Sequence, residues 1–139
     1  MQRTMKRTYK VIFTIIAILI LSSCQSDIVF DKIIDFNAPF TMIVTNVDSI
    51  SGLSNFKTET IAVNSEKWLK FIDFAKENVD GWSLTPVSYI SDITITQGEF
   101  RLLYWKGKDT VVIGFVDRNG KGQQYRKVIK KDELNFLIE

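Results

Sequence analysis

Apolar and polar residues are distributed in three distinct ways along the chain. Residues 11–21 are apolar except for Thr14, and residues 1–10 ahead of them carry Arg3, Lys6, Arg7 and Lys10 without an acidic residue. The run is shorter than the roughly 20 residues a helix needs to cross a hydrocarbon core. A basic start followed by a short apolar run reads as a secretory leader. From Ile28 the pattern turns strand-like: Ile28–Phe36, a break at Asn37-Ala38-Pro39, Phe40–Thr45, a turn-prone stretch from Asn46 to Asn55, and an alternating run over Phe56–Val63.

Asn64–Asn78 changes period. Trp68, Phe71, Ile72 and Ala75 fall on one helical face, Leu69 and Phe74 widen it, and Lys67, Lys70, Asp73, Lys76 and Glu77 cover the other. Asn64 or Ser65 caps the start, and Asp80-Gly81 lies where the helix should stop. Trp82–Ile90 reads as an irregular connection with large side chains, in which Pro86 biases Thr85 towards an extended backbone. Ile93–Thr96, Phe100–Trp105, Thr110–Val116 and Gln123–Ile129 then read as a four-strand meander, with Asn119-Gly120 the best hairpin signal. Asp132–Ile138 reads as a capped turn or short helix packed back onto the sheet.

The expected fold class is α+β: an antiparallel sheet whose C-terminal four-strand meander packs against one main helix, about residues 65–78. A helix followed by four antiparallel strands resembles the element order of cystatin-like folds, a likeness that transfers no function.

Leu21-Ser22-Ser23-Cys24, where the apolar run stops, resembles the lipobox of bacterial lipoproteins: an aliphatic residue, two small residues and a cysteine. The resemblance implies that Cys24 receives a diacylglycerol thioether, that cleavage leaves it as the first residue, and that its new amine is acylated, typically as a palmitate amide. Each buried CH₂ contributes about 0.8 kcal/mol and two chains suffice for stable attachment, so such an anchor holds. The expected organisation is a signal peptide over 1–23, a lipidated cysteine and short tether over 24–27, and one domain over 28–139. The expected location is the bacterial cell envelope, on the outer membrane facing the periplasm or the surface. The alternative is an ordinary leader followed by a free cysteine, a liability in an oxidising compartment.

Removing the leader changes the charge. The full chain is +2, from 18 basic and 16 acidic residues, but four of the basic residues lie in residues 1–10, leaving the mature chain at 14 against 16. Nucleic-acid binding driven by net charge is therefore not expected. Residues 24–99 hold eleven acidic and five basic residues, whereas residues 100–139 hold five acidic and nine basic. The C-terminal strands can thus present a positive face for an acidic partner or anionic lipid heads; the plainer reading is edge lysines that keep strands from aggregating.

The chain has no histidine and its only cysteine is Cys24. Histidine triads, cysteine–histidine dyads, histidine metal sites and disulfides are thereby removed, and neither an enzyme nor a cofactor is expected. Ser54-Asn55-Phe56-Lys57 has Ser-x-x-Lys spacing without the partner motifs of penicillin-binding enzymes. The segment from Asp117 resembles the start of a calcium loop, but Lys121 and Val128 occupy positions that need oxygen ligands. Asp48-Ser49-Ile50 and Asp109-Thr110-Val111 resemble a short O-glycosylation motif of Gram-negative envelope proteins.

The candidate binding residues are Trp82 and Tyr89, the side-chain types that dominate interfaces, with Arg101 and Arg126 on the basic strands. The alternative for the two aromatics is that they fold down onto the core. The expected function is a non-catalytic module that captures a protein or peptide at the membrane face, of inhibitor or immunity type. The alternative is a structural or assembly component of an envelope complex.

Overall fold

The computed structural model describes residues 25–139; the leader expected over residues 1–23 and Cys24 lie outside the described residues. Among the described residues there are eight strands: β1 (Gln25–Ser26), β2 (Phe40–Val47), β3 (Ser54–Ile61), β4 (Trp82–Leu84), β5 (Ile93–Gln97), β6 (Phe100–Tyr104), β7 (Thr110–Val116) and β8 (Gly122–Val128). Helix α1 (Glu66–Glu77) stands between β3 and β4, and 3₁₀ turns form over Phe30–Lys32 and Asn135–Leu137. All the strands join a single antiparallel sheet in the order β1-β4-β8-β7-β6-β5-β2-β3.

This corrects the α+β expectation of a meander packed against one main helix, and with it the cystatin-like element order. The structure is mostly one eight-stranded sheet with a short helix. The strands from the first half of the chain extend the sheet on both sides: β2 docks on β5, and β4 docks on β8. Gln25-Ser26, expected as tether, is itself an edge strand against Trp82-Ser83.

The inner face of the sheet carries Met42, Ile61, Ile95, Leu102, Tyr104, Val111 and Ile113, all buried. Three segments cover it: residues 28–38, α1 and the C-terminal turn, which supply Ile28, Phe30, Phe71, Ala75, Leu134 and Leu137 to the same core. Helix α1 starts where Ser65 Oγ accepts from Trp68 N at 3.2 Å, satisfying one of its free N–H groups. Its Phe71 ring meets Phe40 edge-on at 4.7 Å, and Trp68 Nε1 donates to Ala38 O at 3.1 Å. The helix thus meets β2 and its lead-in, β3 through Lys67 Nζ and Glu59 Oε1 at 3.5 Å, and the C-terminal turn, where Lys67 Nζ donates to Leu137 O at 3.1 Å.

Antiparallel pairing determines which turns share an end of the sheet. The β5–β6 and β7–β8 turns lie at one end, and the β2–β3 and β6–β7 turns at the other. The connection from β4 to β5 leaves at the first end, reaches the second, and must pass β8, β7 and β6 on the way. It does so on the outer face, opposite α1, as a strap over residues 85–92.

Candidate functional site

The strap is held by named bonds along its length. Gln124, whose side chain points to the outer face, donates through Nε2 to Thr85 O at 3.2 Å and Val87 O at 2.6 Å. Tyr89 Oη and Thr85 Oγ1 are 2.8 Å apart, and the Tyr89 ring meets Trp105 edge-on at 5.7 Å. Trp105 Nε1 donates to Ile90 O at 2.6 Å, and Asp92 Oδ2 accepts from Lys106 N at 2.9 Å. Leu103 and Val112, paired across β6 and β7 on this face, are buried although they stand apart from the main core. The strap gives them cover, because it is the segment that crosses there.

Between the first part of the strap and the β5–β6 and β7–β8 turns lies an open groove of about 720 Å³. Its floor is one cross-strand row, Thr96–Arg101–Gly114–Gln124, which register places side by side on β5, β6, β7 and β8. Arg101 lies flat over Gly114 and donates from Nη2 to Gln124 Oε1 at 3.0 Å. Leu84, Val87 and Val116 line the walls with their side chains largely exposed, and Lys121 adds a second cation at the rim.

Asp117 builds that rim. Its Oδ1 accepts from Asn119 N at 2.9 Å and Lys121 N at 3.0 Å, and its Oδ2 from Gln123 Nε2 at 2.9 Å. Hydrogen bonds from Gln123 and from the Lys121 backbone, which favour the ionised form, hold its carboxyl below the usual aspartate range.

The expected binding residues are separated by this arrangement. Arg101 is in the groove, and Tyr89 is half-buried in the strap, wedged on Trp105. Arg126 is exposed and lines a different cleft, of about 380 Å³, with Gln25, Ser83 and Lys127 at the β1 edge. Trp82 is 0 % exposed: its Nε1 donates to Asn78 O at 2.7 Å, its ring meets Phe30 at 5.9 Å, and Lys127 Nζ lies 5.9 Å from its centroid. Of the two aromatics, Trp82 has folded into the core and presents no surface.

The basic residues of the C-terminal half do not form one face. Arg118 and Lys121 sit at the β7–β8 turn, and Lys106 and Lys108 at the β6–β7 turn, at the opposite end of the sheet. Ser49 of the first glycosylation-like motif is exposed at the β2–β3 turn, whereas Thr110 of the second is half-buried at the start of β7.

Sequence reasoning missed Gly114 and Gln124. The signal for the first was present: a glycine interrupting the β-branched run Thr110–Val116 marks a close approach to a strand. Among the described residues, no three histidine, cysteine, aspartate or glutamate side chains converge as a metal site. Nor is any helix among them long and apolar enough to cross a membrane. Comparison with protein-family models, curated proteins and solved structures found no match.

Proposed function

We propose that this chain is a lipid-anchored envelope lipoprotein that acts without chemistry, capturing a protein or peptide partner in the groove beneath the strap. One observation carries the reading: a guanidinium laid over a glycine and steadied by Gln124, open to solvent, with exposed Leu84, Val87 and Val116 around it. A cation with apolar walls suits a carboxylate flanked by apolar side chains, since arginine donates to both carboxylate oxygens at once. The absence of histidine from the whole chain supports a passive role, as the commonest general base is missing. Anchoring rests on the lipobox resemblance at Leu21–Cys24.

The second reading, an assembly component of an envelope complex, is favoured by the β2–β3 hairpin. Its tip exposes Val47, Ile50, Leu53 and Phe56. Crosslinking in intact envelopes followed by pull-down separates the two. With Arg101→Glu, groove capture loses the partner while the protein stays folded; retention of the partner at wild-type yield favours the assembly reading.

A further inference from the structure

The two edges of the sheet are unequal. At one edge β1 is two residues long, whereas at the other β3 runs for eight, and among the described residues nothing pairs with its outer side. Ser54 to Thr58 and Thr60 are exposed, with Phe56 69 % exposed. A long open edge offers a row of unpaired N–H and C=O groups to another strand.

Hydrogen-bond parity shows which residues offer them. Asp48 N donates to Leu53 O at 2.9 Å, and bonded pairs alternate along an antiparallel ladder, so Asn55, Lys57, Glu59 and Ile61 bond inward to β2. Thr45 N donating to Asp92 O at 2.8 Å agrees, for it turns the intervening residues of β2 towards β5. Ser54, Phe56, Thr58 and Thr60 therefore point their backbone groups outward.

We propose that two copies of this chain pair through β3, antiparallel, about a two-fold axis at Thr58. That register places Phe56 opposite Thr60 of the second copy and Thr58 opposite its own copy, so every bonded pair uses an outward-pointing residue. It also sets Lys57 directly opposite Glu59, whose carboxylate meets Lys67 of its own chain at 3.5 Å, twice, at the closer non-bonded positions of the ladder. On the outer face each exposed Phe56 ring gains a β-branched cross-strand neighbour. Moving the axis to Lys57 keeps outward-pointing residues in the bonded pairs but sets two lysines directly opposite at a non-bonded position; moving it to Phe56 or Thr60 leaves Lys57 and Glu59 without each other. The strand is thus complementary in charge and in bonding to itself, which selects a second copy as the occupant. An axis perpendicular to the sheet keeps both strapped faces on the same side, so the two grooves open in one direction. The inference stands independently of what the groove binds.

Sedimentation of the full-length protein in detergent micelles tests it, with circular dichroism confirming that each variant is folded. The wild type is expected as a dimer. Lys57→Glu and Glu59→Lys, which oppose like charges, are each expected as monomers, and an equimolar mixture of the two returns to dimer because every pair is again opposite in sign. Thr58→Pro removes an outward N–H without touching the β2–β3 ladder and is also expected as a monomer. A monomeric wild type, a dimer indifferent to both reversals and to Thr58→Pro, or a mixture that stays monomeric overturns the proposal; so does capture of a different protein along β3 in place of a second copy.

Discussion

A methyl group built on Gly114 would stand 2.7 Å from Arg101 Nε and 3.3 Å from its Cγ. The two residues are directly paired on β7 and β6, and the missing side chain at one is what lets the other lie flat. Gly114→Ala therefore lifts Arg101 and breaks its bond to Gln124. The displaced atoms belong to a flexible exposed side chain, so the expected stability change is within about 1 kcal/mol. Urea unfolding should show this small change, and pull-down should show loss of the partner. A variant that still captures at wild-type yield contradicts the role given to this pair.

Trp82 and Tyr89 occupy the same connection in the sequence but differ in consequence. Removing the fully buried Trp82 ring leaves a cavity and frees Asn78 O, so Trp82→Ala is expected to cost about 3–5 kcal/mol. Tyr89→Phe loses only the hydroxyl contact with Thr85, worth about 1 kcal/mol. Denaturant midpoints measure both. Equal effects would contradict the assignment of one residue to the core and the other to the strap.

These differences show what local pattern carries. Ser65 and the spacing of Trp68, Phe71, Ile72 and Ala75 are local signals, and α1 follows from them. The architecture is not local: β4 lies between β1 and β8, and β2 beside β5, pairings between residues far apart in the chain. Trp82 opens a strand of three residues, too short to show any period, so nothing in its neighbourhood separates it from Tyr89. Arg101 was visible as an exposed base, but its place in a groove depends on Gly114 one strand away and on a strap whose path follows from sheet order. The Trp82–Ile90 stretch reads as a loop with anchors because its large side chains are indifferent to which face they meet.

The carboxyls of Asp117 and Asp48 are both held below the ordinary range by hydrogen bonds: at Asp117 first from Gln123, at Asp48 first from the Ser51 backbone. A lowered folded value contributes stability above the unfolded aspartate pKa of about 3.9, lost as pH falls through the folded value. Asp117→Asn should therefore be less stable than wild type at neutral pH, and the gap should close below about pH 4. Urea midpoints across that window measure it. A gap that stays constant down the titration contradicts the assignment.

The proposed anchoring turns on Cys24. If Cys24 is acylated the protein belongs to the detergent phase of a two-phase separation, and a Cys24→Ser chain from which residues 1–23 have been removed should move to the aqueous phase. Mass spectrometry of the wild type should show the added acyl mass on the residue-24 peptide. An unmodified thiol there contradicts the lipobox reading.

The claim on which the functional account rests is that a partner occupies the strapped face. A photo-crosslinking residue placed at Val116, on the groove wall, and separately at Leu69, exposed on α1 across the sheet, tests it in living cells. The account predicts a discrete adduct from position 116 and none from position 69. An adduct from position 69 with none from position 116 would contradict it.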